Sequence, residues 1–263
     1  MPDTTYRILF LGDIVGKPGR TAIAQGLPSL KDTHQPLFTI VNGENAAGGI
    51  GITPNHAEEF FRAGADAITL GNHAFNKREI GPYLETGKPI VRPFNMPEGV
   101  PGKGLVTIQK EDIELAIMNL CGRVFMDSFN DPFEGFDRLT QNLPTPHRFV
   151  DFHCEATSEK VAFGWHCDGR ASAVVGTHTH VQTADNQVLP QGTAYITDVG
   201  MCGPVRSVIG MDREMVLKRF KTTMPIRFEV ADEPGVICGV VISVERSTGR
   251  ATSIERIRFG EEA

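Results

Sequence analysis

The stretch Tyr6-Arg7-Ile8-Leu9-Phe10-Leu11 runs directly into Gly12-Asp13. A short, largely aliphatic run closed by a glycine and a polar residue is the pattern of a strand buried on both faces. The pattern recurs: Leu37–Val41 precedes Asn42-Gly43-Glu44-Asn45, Ala67–Leu70 precedes Gly71-Asn72-His73, and Ala173–Val175 precedes Gly176-Thr177-His178-Thr179-His180. Helices are expected over Arg20–Leu30, Asn55–Ala63 and Arg78–Leu84, the second opened by Thr53 as N-cap and Pro54 in the first turn. Strand, turn, helix and strand at this rhythm predict parallel βαβ units, hence an α/β fold.

Further on the pattern changes. Val106–Gln109 and Ile113–Asn119 flank Lys110-Glu111-Asp112 as a hairpin would, while Ile226–Val230, Val236–Glu245 and Thr252–Phe259 alternate apolar with polar residues. Such alternation predicts half-exposed antiparallel strands. The expectation is a β-sandwich of mixed sheets flanked by helices, largely parallel first and more antiparallel later. With no internal repeat or Ser/Gly linker, residues 1–263 read as one domain. Phe125, Phe129, Phe133 and Phe136 fall near helical spacing, but Pro132 and Gly135 are expected to interrupt a helix there. Packing of this excursion onto the core is preferred over a lid or an oligomer contact.

Composition narrows the class. With 26 basic and 32 acidic residues among 263, the net charge is −6. That argues against a stable nucleic-acid complex or an anionic-membrane binder, without excluding a phosphate held locally. Cys121, Cys154, Cys167, Cys202 and Cys238 are odd in number and form no CxxC pair. They read as buried thiols of a cytoplasmic protein. Ile8–Leu11 is too short for a signal peptide, and no apolar run approaches a membrane span.

Polar residues with metal-binding chemistry cluster just after the predicted strands, at the sheet edge where α/β proteins bind ligands. They are Asp13, Glu44, Asn45, Asn72, His73, His178 and His180, joined by His153 after Arg148–Phe152. Taken singly each has a plainer reading. Gly12-Asp13 could be an ordinary turn, and the segment to Lys17 fails as a phosphate loop because Pro18 follows it. In an extended segment, His178 and His180 would project to one side. Together, carboxylates, amides and imidazoles on one edge describe a mixed oxygen and nitrogen metal site. His34, His56, His147 and His166 lack such context and read as surface or structural residues.

The segments GDIVGKPGR, NGENAAGG, GNHAFNK, GTHTHVQTAD and TDVGMCGP, in that order, resemble the calcineurin-like metallophosphoesterase superfamily, in particular its YmdB-like bacterial branch of cyclic-nucleotide phosphodiesterases. The resemblance extends over nearly the whole chain. One departure from the superfamily matters: the usual Asp-x-His opening is absent, since Ile14 and Val15 follow Asp13. Asn45 is the natural substitute, a neutral and weaker donor. The resemblance implies two metal ions. Asp13, Glu44, Asn45 and His180 would hold the first, and Glu44 would bridge to a second completed by Asn72, His153 and His178. Iron is favoured by the resemblance, with manganese, cobalt or zinc tolerated by the donor set. A homo-oligomer is expected at family level only.

The expected activity is hydrolysis of 2′,3′- or 3′,5′-cyclic nucleotides, with a metal-bridging hydroxide attacking phosphorus and His73 as general acid. Two ligand carboxylates against two ions leave the centre electropositive inside an acidic protein. Alternatives are a phosphomonoesterase or nuclease using the same centre, and a non-catalytic metal-binding regulator. An intact His73 beside a full ligand set argues against the last.

Overall fold

The opening apolar run is a strand with a packed layer on each face. Ile8 and Phe10 point one way, Leu9 and Leu11 the other, and all four are buried. The computed structural model describes residues 4–260. In chain order β1 (Thr5–Leu11), β2 (Asp13–Ile14), α1 (Gly16–His34), β3 (Phe38–Asn42), α2 (Pro54–Ala63), β4 (Ala67–Thr69), α3 (Ile80–Leu84) and β5 (Ile90–Val91) come first. They are followed by β6 (Leu105–Lys110), β7 (Ile113–Cys121), α4 (Pro132–Thr140), β8 (Arg148–His153), α5 (Thr157–Cys167) and β9 (Ala173–Thr177). The last group is β10 (Gln187–Val188), β11 (Ala194–Ile196), β12 (Met201–Pro204), α6 (Arg213–Thr222), β13 (Gly235–Glu245) and β14 (Ala251–Phe259).

Two mixed sheets result. One is eight-stranded, ordered β2-β12-β13-β1-β3-β4-β5 with β14 on β13; the other is six-stranded, ordered β10-β11-β9-β8-β7-β6. Their facing sides share a core containing Ile8, Phe10, Ile40, Ile117, Phe149 and Val175. Across it the rings of Phe10 and Phe149 lie 5.1 Å apart. Behind the first sheet, Leu9, Leu11 and Val41 pack on Ile23 and Leu27 of α1 and Phe60 of α2. Behind the second, Phe152 stacks on Phe163 of α5 at 4.0 Å, with Phe136 of α4 alongside. The α/β sandwich flanked by helices is therefore present.

Several local expectations are corrected. In the second sheet β7, β8, β9 and β11 are parallel neighbours, with antiparallel pairing only at β6 and β10, whereas β13 and β14 pair antiparallel as their alternation suggested. The antiparallel β13 joins the first sheet by pairing with β1 from Thr5↔Glu245 to Leu11↔Gly239. Residues 226–230 form no strand; only Val230 makes an isolated antiparallel bridge, to Met211. Pro132 starts a helix instead of interrupting one. Asp131 caps α4 by accepting from the N–H groups of Phe133 and Glu134, and a proline in the first turn sacrifices no helical hydrogen bond. Gly135 is then a point of close packing, where a Cβ would lie 3.1 Å from Leu120. Phe133 and Phe136 pack inward, whereas Phe125 is 87% exposed. The five cysteines are buried and free. Among the described residues no helix is long and apolar enough to cross a membrane.

Candidate metal centre

The carboxyl ends of the central strands of both sheets meet at one edge, and every residue expected there arrives. Asp13 opens β2, Glu44 and Asn45 follow β3, Asn72 follows β4, His153 ends β8, and His178 follows β9. Asp13, Glu44 and His153 are wholly buried. His153 Nε2 forms the hub of one group: Glu44 Oε1 at 3.0 Å, Asn72 Oδ1 at 3.1 Å and His178 Nδ1 at 3.0 Å. Donor atoms of Glu44, His153 and His178 all lie within 4.8 Å of one another. The same Glu44 oxygen meets a second group: Asn45 Nδ2 lies 3.1 Å from Glu44 Oε1 and 3.2 Å from His180 Nε2. Asp13 Oδ2 accepts from the His178 N–H at 3.1 Å.

His178 and His180 converge by a route that extended spacing does not describe. β9 ends at Thr177, and both histidines have positive φ, 97° and 66°. Left-handed backbone at two non-glycine residues is costly and persists only where neighbours impose it. The turn sends His178 toward His153 and His180 toward Asn45, placing them in different groups.

Each imidazole is oriented by a partner on its other nitrogen. His153 Nδ1 meets Thr177 Oγ1 at 2.8 Å, and that hydroxyl donates to Asp151 Oδ1 at 2.7 Å. With the hydroxyl proton spent on Asp151, Nδ1 donates and Nε2 is left as the ligand atom. His180 Nδ1 faces the Ile209 carbonyl at 2.8 Å, and His178 Nε2 faces Glu155 at 3.2 Å. The nitrogens left for a metal would accordingly be His180 Nε2 and His178 Nδ1.

Burial works against charge on Glu44 and on His153, yet their mutual attraction prevails. It holds Glu44 below the usual carboxylate range and lifts His153 above the usual imidazole range. Burial and the charge of His153 push His178 down to about 3, so it is neutral near pH 7. Burial raises Asp13. A cation placed against His153 Nε2 replaces its proton.

Two features test whether the residues fit metal ions. Asp13 Oδ1 and Asn45 Oδ1 are buried acceptors with no hydrogen-bond partner, the condition of an oxygen kept for a cation. Gly71 makes room: a Cβ there would lie 2.2 Å from Glu44 Oε2 and 2.5 Å from His153 Nε2. Both agree with a donor set of carboxylates, amide oxygens and imidazoles.

His73 borders the site, partly exposed. Its N–H donates to Glu44 Oε2 at 3.2 Å, and its Nδ1 lies 3.3 Å from Asn76 Oδ1. His147 is buried against Tyr6, and His166 pairs with Asp137, away from the centre. The sequence alone assigns no role to Asp151, which accepts from Asn42, Thr69 and Thr177 beneath the centre. A signal is nonetheless present: in a strand Asp151 shares a face with His153 two residues on.

The profile of the YmdB-like protein family matches residues 9–257. The chain belongs to the YmdB-like family. It is 53% identical to a 2′,3′-cyclic-nucleotide 2′-phosphodiesterase of Bacillus subtilis (strain 168), covering 97% of this chain and 98% of that one. Its YmdB-like fold superposes with TM-score 0.93 on a Thermus thermophilus structure described as a hypothetical protein, at 41% identity, covering 97% and 100% of the two chains. A crystal structure of a novel phosphatase from Mycoplasma pneumoniae gives TM-score 0.92 at 36% identity, covering 97% and 93%.

Proposed function

We propose that this YmdB-like chain is a metal-dependent phosphodiesterase that opens nucleoside 2′,3′-cyclic phosphates. The carrying observation is the convergence of two donor groups on Glu44 Oε1: His153 with Asn72 and His178, and Asn45 with His180. Asp13, with its unpartnered Oδ1, completes the second set. Two ions held by these residues, iron by preference, would supply Lewis acidity that acidifies water and neutralises charge on phosphoryl oxygens. The activity named for the Bacillus relative supports the substrate class. The bond broken is then that between phosphorus and the 2′ oxygen; water adds to phosphorus and the 2′ oxygen leaves protonated.

The chain's own residues set the stage. Asp151, Thr177 and Glu155 fix the histidine ring orientations, so little rearrangement accompanies the reaction. His73 protonates the leaving oxygen. Its Nδ1 donates to Asn76 Oδ1, so the proton handed to the leaving oxygen is the one Nε2 carries when the ring is protonated on both nitrogens. Elemental analysis of the purified protein, paired with a panel of 2′,3′- and 3′,5′-cyclic nucleotides, mononucleotides and short RNA, tests this reading. Two ions per chain with selective turnover of the 2′,3′-cyclic compounds is expected. Turnover of monoesters alone, or metal binding without turnover, would overturn it.

A further inference from the structure

Among the segments singled out by the sequence, Thr197-Asp198-Val199-Gly200 contributes no donor to the metal centre, yet it is wedged beneath it. A Cβ on Gly12 would lie 1.8 Å from the Gly200 carbonyl oxygen, and one on Gly176 would lie 1.8 Å from that of Thr197. The turn therefore contacts the backbone leading to Asp13 and the backbone leading to His178 at once. At its heart is a buried ion pair: Lys160 Nζ of α5 lies 2.7 Å from Asp198 Oδ2, the two side chains being 1% and 0% exposed.

Asp198 is fully used. Its Oδ2 also accepts from the Thr179 N–H at 3.0 Å and the Thr179 hydroxyl at 2.7 Å, and its Oδ1 accepts from the Gly200 N–H at 2.8 Å. Thr179 is the residue between His178 and His180, the two with left-handed backbone. A buried ion pair is weak evidence for stability, because desolvation offsets its attraction. What it does supply is an immobile carboxylate, here aimed at the peptide joining two metal-binding histidines. The stem of Lys160 packs close to the same backbone, its Cδ lying 3.1 Å from where a Gly176 Cβ would stand.

We propose that Lys160 and Asp198 are positioning residues that brace Thr179 and so set the direction of both His178 and His180. The proposal rests on the metal-centre reading above. Removing such an outer partner typically weakens metal binding by about 10–100-fold.

The test is a Co(II) titration of metal-stripped protein, followed by absorption spectroscopy, with circular dichroism confirming the fold. Thr179→Val removes the hydroxyl at nearly constant shape, while Thr179→Ser retains it. The double variant Lys160→Met/Asp198→Asn removes both charges, so neither is left unpaired. We expect Thr179→Ser to match the parent protein, Thr179→Val to bind Co(II) several-fold more weakly, and the double variant to lose about 10–100-fold. A merely structural pair would lower the melting temperature while leaving the affinity and spectrum of the folded protein unchanged. Parent-like titrations in Thr179→Val and the double variant would overturn the proposal, as would equal losses in the Ser and Val variants. If the double variant fails to fold, the Thr179 pair decides. Hydrolysis by the parent protein is assayed separately. Its absence alongside the expected Co(II) pattern would remove the phosphodiesterase reading and leave the brace standing.

Discussion

His73 is tied to the centre through its backbone and leaves its ring at the rim, partly exposed. A general acid in that position can be removed without removing a ligand. His73→Ala is expected to keep both ions and lower kcat by about 10²–10⁴-fold on a cyclic nucleotide. The loss should shrink on a nitrophenyl diester, whose leaving group needs little protonation. Equal losses on both substrates, or loss of an ion in elemental analysis, would remove the assignment. Gly71 makes the opposite kind of case, since it offers no chemistry and only space. A methyl group at 2.2 Å from Glu44 Oε2 cannot be accommodated without displacing that carboxylate. Gly71→Ala should thus fold, as judged by circular dichroism, yet bind metal at least about 10-fold more weakly than the parent. Unchanged metal content after dialysis would show that the glycine is incidental.

Among the elements, α4 shows how one cap decides a local structure. Asp131 accepts two backbone N–H groups at the start of the helix that carries Phe133 and Phe136 into the outer core. Asp131→Ala should cost about 0.5–2 kcal/mol in urea unfolding, with kcat unaffected. A cost near zero would mean that aromatic packing holds the helix unaided. This segment also marks where sequence reasoning falls short. Phenylalanine spacing points to a helix, and Pro132 reads as a breaker although a proline in the first turn is compatible with one. The turn carrying His178 and His180 is a second instance. The pair is legible as a candidate for metal binding, but its left-handed backbone is not legible, because it depends on Asp198 and the Ile209 carbonyl, both distant in sequence. The early parallel strands and their polar turns are legible because each is a local pattern. The pairing of β13 with β1, and of β12 with β2, joins early and late parts of the chain and has no local signature.

For the whole molecule, the sandwich is also tied at the edge away from the carboxyl ends. Tyr6 of β1 meets His147, just before β8, through a hydrogen bond of 3.1 Å and an edge-on ring contact at 5.5 Å. Burial lowers the affinity of His147 for a proton, partly opposed by a backbone bond with Arg246 and by Asp112, and reinforced by the Arg246 charge. The folded value thus lies below the unfolded one of about 6.5. The sign follows: between the two values the unfolded chain binds more protons, so stability rises with pH. The contribution is complete above about pH 6.5 and is lost as the pH falls through the folded value. Urea unfolding of metal-stripped protein from pH 7 to pH 5 should show a shallower decline in His147→Gln than in the parent. Parallel curves would rule out this histidine as a source.

The candidate donors come from both sheets: Asp13, Glu44, Asn45 and Asn72 from one, His153, His178 and His180 from the other. Asp13 is set in place by β12, and β1 is closed by β13, more than 200 residues later in the chain by the pairing of Thr5 with Glu245. A chain emerging from the ribosome therefore displays several carboxylates and imidazoles long before they can converge. Since chains begin to fold from the amino end as they are made, metal binding as proposed above would have to wait for the late strands. On that reading the ion would be selected by a finished pocket, after release, from whatever the surrounding medium then holds.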